Sequence, residues 1–227
     1  MDPNKLKKYH GIQSSIIPLS SQYYFYLASW DKTPTDFPGF TNFWLITPDD
    51  HRMLFSDPPE SSKIVCIYHY FNEIIGSCIT VEWADEKHLK IDCNSKDGLH
   101  HLKVDIQVKE TLSSKILLKL ASGPPTPFRV SKPMVGLSNL LINRIIAKTG
   151  SAFLGVTETG QPFYHGETEK IFHITQGSAQ YNKKDLGMIT NPTWPITFGD
   201  AVPFHRPILK LGNLRIPFEQ EMLERKE

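Results

Sequence analysis

The feature that most constrains the fold is a run of apolar residues at helical spacing, over residues 132–149. Apolar side chains three and four positions apart lie on one face of a helix. The recurring positions are Met134, Leu137, Leu141 and Ile145. Ser131 can cap the helix, Pro133 suits its first turn and Gly150 suits its end. Gly136 lowers helix stability, which indicates close approach of a neighbouring element. The pattern predicts one long, mostly buried helix.

A helix with so wide an apolar stripe needs a sheet or other helices to cover it. Residues 22–30, QYYFYLASW, are aromatic at alternating and adjacent positions, which suits a strand buried on both faces or an interface strand. Residues 63–121 predict an antiparallel meander, and residues 152–175 a hairpin around Gly160. The sequence therefore predicts an α+β, mostly β fold. Its strongly curved antiparallel sheet, or β-barrel-like fold, would wrap on the long helix.

The register of the meander follows from the turn at Asp97-Gly98, a strong hairpin signal. This turn pairs apolar residues on one face of the two strands. The predicted pairs are Cys93 with Leu102, Ile91 with Val104 and Leu89 with Ile106. On the other face the same register places Lys90 opposite Asp105. It also places Asp92 opposite Lys103, and opposite charges across strands support this register.

The length of 227 residues and the absence of a linker-like segment favour a single domain over residues 1–227. Within it, residues 1–21 are expected to form a loosely held arm and residues 217–227 a charged helical tail. A net charge of +1 without a long basic run argues against a nucleic-acid partner. The polar beginning of the sequence resembles neither a signal peptide nor a membrane span. Three cysteines without CxxC spacing indicate no zinc cage and fit a cytoplasmic location.

The densest group of titratable residues lies in the segment 164–173. If this segment is extended, His165, Glu167, Glu169 and His173 project from one face, because side chains of a strand alternate with period two. Such a face suits acid–base catalysis, with a histidine and a glutamate as the natural pair, or binding of a divalent metal. The alternative is an ordinary solvated face of an edge strand, and no metal ligand is assigned.

Three further residues are candidates for ligand binding. His69 is expected within an apolar strand face, either as a hydrogen-bonded core residue or on a cavity wall. Trp83 would point into the aromatic interior. Arg129 could hold an anion at the positive end of the long helix, or pack its stem in a loop.

The main functional hypothesis is a small-molecule-binding protein of barrel type, or a small enzyme, which holds an apolar or aromatic ligand between helix and concave sheet. A second is a lyase, isomerase or hydrolase that uses the His/Glu strand. Its decarboxylase-like form would use a lysine Schiff base, but no motif supports it, since the adjacent Lys183 and Lys184 suit a hydrated turn. A third is an interaction protein that forms a homodimer through residues 22–30. No cofactor is assigned.

Overall fold

A computed structural model of the chain describes residues 6–122, 132–142, 144, 154–193 and 196–224. These residues form a large mixed sheet of 12 strands with few helices. The predicted mostly β class with a small helical content is confirmed. The predicted barrel-like shape and the wrapping of the sheet on the long helix are not confirmed.

The strands and helices are numbered in chain order. The strands are β1 (Lys7–Ser14), β2 (Ile17–Pro18), β3 (Tyr24–Lys32), β4 (Phe40–Ile46), β5 (Arg52–Asp57), β6 (Glu73–Asp85), β7 (His88–Ser95), β8 (His101–Lys109), β9 (Leu154–Val156), β10 (Pro162–Tyr181), β11 (Lys184–Met188) and β12 (Ile208–Ile216). The helices are α1 (Ser62–Tyr68), α2 (Leu112–Ser122), α3 (Lys132–Ile142) and α4 (Glu221–Glu224).

The sheet follows the order β1-β12-β10-β8-β7-β6-β5-β4-β3-β2, and β1 also pairs with β3. The pair β5–β6 is parallel. Parallel neighbours need a crossover connection, and α1 supplies it. The predicted meander is therefore wrong at its start: residues 62–68 are helical, and antiparallel pairing begins with β6 and β7. Its end is wrong too, because residues 112–122 form α2 instead of a strand.

The predicted register of β7 and β8 is confirmed at every residue pair. Cys93 faces Leu102 and Lys90 faces Asp105. Asp92 faces Lys103, and its carboxylate lies 3.6 Å from the lysine Nζ. Alternation of apolar and charged residues thus determines which face of this hairpin is buried.

The strands bury apolar side chains on both faces, so the protein has two main apolar clusters. Alternate residues of β3 show the division: Phe25 and Leu27 belong to one cluster, whereas Tyr24, Ala28 and Trp30 belong to the other. The second cluster is covered by α1, by Ile196, Phe198 and Ala201, and by residues 218–223. The aromatic strand predicted over residues 22–30 is thus buried on both sides within this chain.

The predicted helix over residues 132–149 is confirmed as α3 from Lys132 to Ile142, and residues 143 and 145–149 lie outside the described residues. Its expected burial is wrong at Leu137 and Leu140, which are 46% and 59% exposed. A Cβ atom at Gly136 would meet no described atom within 4 Å, so close packing does not explain this glycine. In the part of the chain that the structure describes, no helix is long and apolar enough to cross a bilayer.

Both ends of the described chain are held by the rest of the protein. The loose arm expected over residues 1–21 is instead paired along both edges between Lys7 and Ser14. In the predicted tail over residues 217–227, Phe218 is buried and residues 221–224 are helical. Residues 208–216, which precede this tail, form one continuous strand, β12.

Candidate functional site

A cavity of about 100 Å³ lies in the second apolar cluster, between the sheet and its covering layer. Strands β1, β3, β4, β10 and β12 form its floor, and α1 together with residues 157, 198 and 201 forms its cover. Aromatic and aliphatic side chains dominate the lining, and a smaller set is polar. The polar members are Tyr9, Gln13, Tyr26, Asn42, Tyr68, His69, Thr157 and His165.

The indole of Trp44 is the centre of the aromatic wall. Its ring centroid lies 4.3 Å from that of Tyr26 and 5.0 Å from that of Phe198. Its Nε1 donates a hydrogen bond of 2.8 Å to Asn42 Oδ1, so the indole polar group is satisfied. The alternation of β4 places both residues on the cavity side, two positions apart. The wall is therefore rigid and offers ring faces to a ligand.

Two polar atoms of the wall are buried without a hydrogen-bond partner among the described residues: Tyr9 Oη and Gln13 Oε1. The Gln13 amide nitrogen donates to Tyr26 Oη at 2.6 Å. The Tyr68 hydroxyl lies beside Tyr9 but donates to the carbonyl oxygen of Pro217 at 2.8 Å. A buried polar atom without a partner costs about 1–3 kcal/mol, so these two atoms favour a ligand that pairs with them.

Lys210 is buried directly behind this polar part of the wall, with 6% of its surface exposed. It is the direct neighbour of Gln13 across the β1–β12 pair, so both side chains project from the same face. Its Nζ donates to His165 Nδ1 at 3.0 Å and to the carbonyl oxygen of Asn213 at 3.1 Å. Both acceptors are uncharged, and within the described residues no carboxylate pairs with this ammonium group.

Burial changes the protonation of this pair. Burial lowers the pKa of Lys210 to about 7, because the charged ammonium loses its hydration. Burial, followed by the adjacent Lys210, holds the pKa of His165 well below its usual value. At neutral pH the imidazole is uncharged, and a large fraction of the lysine is an uncharged amine.

The backbone that brings Lys210 to His165 is irregular. Strand β10 changes register against β12 on either side of Thr168, and Glu167 has a positive φ of 48°. Opposite the bulge, a Cβ atom on Gly212 would lie 2.7 Å from Thr168 Cα. Only glycine permits this close approach. Because Lys210 reaches a carbonyl group three residues further on, its side chain extends along β12 past this glycine.

A cluster of charged side chains lies beside His69, at the end of α1. The Glu158 carboxylate accepts hydrogen bonds from Arg52 and from the backbone N–H of Tyr70, and lies 3.3 Å from His69 Nδ1. The Arg52 guanidinium lies 4.6 Å from the centroid of the Phe198 ring. Burial raises the pKa of Glu158, but the bonds from His69, Tyr70 and Arg52 outweigh it and lower the pKa overall. This group orients His69 on the wall.

The structure brings two of the predicted site residues, His69 and His165, to the same cavity. His69 follows α1 instead of lying within a strand, and its ring centroid is 4.8 Å from that of Trp44. The predicted carboxylates lie elsewhere. Glu167 binds Lys8 at 2.8 Å and also Arg215 and Asn213, and Glu169 binds His10 at 2.9 Å. The predicted single face of four residues fails because the two register shifts interrupt the alternation.

The remaining predicted site residues are separate from the cavity. His173 is buried near α2, where its Nε2 lies 2.9 Å from Ser113 Oγ, and burial lowers its pKa. Trp83 is 36% exposed and packs against Phe172 on the wall of a wide surface groove. Arg129 lies outside the described residues.

Lys210, Gln13 and Tyr9 belong to no sequence pattern that predicts a site. One signal was present: Lys210 lies between two leucines in an apolar strand, where a lysine is rarely buried. The burial of the unpaired atoms of Gln13 and Tyr9 depends on the pairing of β1 with β12, and these strands are far apart in the sequence.

No group of three or more His, Cys, Asp or Glu side chains is arranged to hold a metal ion, as judged over residues 6–122, 132–142, 144, 154–193 and 196–224. Comparisons of the chain with models of protein families, with curated proteins and with solved structures gave no match.

Proposed function

We propose that the protein binds a small, largely apolar molecule in the cavity beside Trp44, with a polar group directed at Tyr9 and Gln13. The observation that carries this proposal is an aromatic cavity that contains two unpaired buried polar atoms. Ligand sites combine apolar walls with a few placed polar groups in the same way. The ligand would lie between the sheet and α1, and not beneath the helix over residues 132–149 as the sequence predicted.

The volume limits the size of the ligand. A dry apolar cavity of about 150 Å³ accepts benzene. The cavity of about 100 Å³ is smaller but partly open to solvent, so it suits a short branched chain, or one ring that is not wholly enclosed. A ligand oxygen that accepts from Tyr9 Oη, or a hydroxyl that donates to Gln13 Oε1, removes the cost of the unpaired atoms.

The acid–base hypothesis has less support. It needs a histidine beside Glu167 or Glu169, and the nearest group to the His165 ring is the Lys210 amine. The dimer hypothesis is supported less as well, because residues 22–30 are covered within the chain.

The test uses phenol and toluene, which have similar shapes and differ by a hydroxyl group. Calorimetric titration and ligand-induced shifts of the melting temperature measure their binding. We expect phenol to bind about 10-fold more tightly than toluene, since one buried hydrogen bond contributes about 1–1.5 kcal/mol. Ala28→Leu fills the cavity and should abolish binding of both, whereas Ala84→Leu, on an exposed strand residue, should leave it unchanged. Equal binding by the Ala28→Leu protein would place the ligand elsewhere.

A further inference from the structure

A cavity that only binds a ligand does not need a buried amine, yet the Lys210 amine lies beside its wall. Its Nζ lies 3.0 Å from the ring of His165, which lines the cavity. Lys210 is also the cross-strand partner of Gln13, which lines the cavity too. The buried amine is thus hydrogen-bonded to one side chain of the cavity wall and projects from the same face of the sheet as another.

The hydrogen bonds of the Lys210 amine leave its nitrogen lone pair free when the amine is uncharged. An uncharged lysine has two N–H donors and one lone pair. The two donors are used by His165 Nδ1 and by the carbonyl oxygen of Asn213. The lone pair remains, and the uncharged state that burial favours is the nucleophilic state of lysine.

We propose that Lys210 condenses with a small aldehyde or ketone held in the cavity and forms an imine, so that the ligand class is a carbonyl compound. This inference rests on the proposed binding function. The Lys210 amine would be the reacting group, and the Tyr9 hydroxyl would donate to the carbonyl oxygen while the ligand is bound.

The reaction balances without a cofactor or an oxidant. The nitrogen lone pair attacks the carbonyl carbon, a C–N bond forms and the π electrons move to oxygen. His165 Nδ1 takes a proton from the nitrogen and returns it to the oxygen, which yields a carbinolamine. The second N–H proton follows the same route as the C–O bond breaks. The oxygen leaves as water, and a C=N bond joins the ligand to Lys210.

The test is reductive trapping. The purified protein is incubated at pH 7 with benzaldehyde and sodium cyanoborohydride, and modified lysines are identified by peptide mass spectrometry. We expect labelling of Lys210 on the order of 100-fold faster than that of exposed Lys184. An amine with a pKa of about 7 is about half uncharged at this pH, whereas an ordinary lysine is almost wholly charged. Lys210→Met should lose the rapid adduct, and Lys184→Met should keep it.

The wild-type peptide map decides the question even if a variant fails to fold. Labelling spread over exposed lysines, with Lys210 unmodified, overturns the inference. Benzyl alcohol, which has a similar size but no carbonyl group, separates the two proposals. If benzyl alcohol binds and Lys210 stays unlabelled, the imine is wrong and the binding function stands. If neither compound binds and Lys210 stays unlabelled, both proposals are overturned.

Discussion

Lys210 and Gln13 are direct partners across the β1–β12 pair, and both project their side chains to the buried face beside the aromatic cavity. One is an amine without a carboxylate partner among the described residues, and the other has an unpaired amide oxygen. Adjacent polar groups of this kind lower the stability of the folded protein. Such a cost is common at sites that bind or react with a ligand.

The buried lysine predicts a stability that increases with pH. An unfolded lysine keeps its proton up to a pKa of about 10.4, whereas folded Lys210 releases it above about 7. Between these values the unfolded state binds more protons, so the free energy of unfolding should rise by about 1.4 kcal/mol per pH unit. Lys210→Met should lack this rise. Urea denaturation of both proteins from pH 6.5 to 9.5 measures it, and parallel curves would show that the folded protein keeps the Lys210 amine protonated throughout this range.

The unpaired hydroxyl of Tyr9 predicts that its removal raises the stability of the protein and weakens binding of a hydroxyl-bearing ligand. Tyr9→Phe removes an unpaired buried group and should raise the free energy of unfolding by about 1 kcal/mol. It should also remove the preference for phenol over toluene. Tyr23→Phe is the control, because its hydroxyl contacts the exposed Lys184 outside the cavity. A Tyr9→Phe protein that is less stable and still prefers phenol would mean that the hydroxyl is already paired.

The carboxylate of Glu158 predicts loss of stability in acid. Its pKa is lowered in the folded state, so its contribution is complete above the unfolded value of about 4.3 and is lost as the pH falls through the lowered pKa. Glu158→Gln should cost about 1–3 kcal/mol at pH 7, because Arg52 and His69 are partly buried beside it. The exposed Glu82→Gln is the control in chemical denaturation. A loss equal to that of the control would show that solvent screens the group.

The register of β7 and β8 predicts coupling between Asp92 and Lys103. Exchange of the two charges should retain most of the stability, whereas either single reversal should cost about 0.2–1 kcal/mol. Asp92 also contacts His101 at 3.3 Å, and a double-mutant cycle separates that contact from the pair with Lys103. A double-mutant cycle measures the coupling, and the cycle of Lys103 with Asp85, which faces His88 and not Lys103, should give none.

Sequence patterns succeeded where neighbours in the chain are neighbours in space. One turn at Asp97-Gly98 determined the pairing of β7 with β8, because a register shift would have exposed its apolar face. The long helix was also found from Lys132 to Ile142, but its burial was not. An apolar stripe indicates which face can be covered, and it does not show whether anything covers it.

The site was harder to predict because it depends on irregular backbone and on distant pairing. Strict alternation along the strand would place His165 and Glu167 on one face. Because of the bulge at Thr168, His165 contacts Lys210 whereas Glu167 contacts Arg215. His69 lines the cavity, but it lies at the end of α1 instead of within the predicted strand. Lys210 needed knowledge of its cross-strand neighbours, which no local pattern contains.

The pairing of β1 with β12 also determines when the cavity can form during synthesis. Ser15 and Ile208 are joined by hydrogen bonds although they are 193 positions apart. The cavity takes its walls from both ends of this interval. When only β1 to β8 have been synthesised, the hairpin of β7 and β8 can fold, but the cavity cannot form. The nascent chain must therefore keep its aromatic strands from aggregating until β12 emerges, and only then can a ligand stabilise the fold.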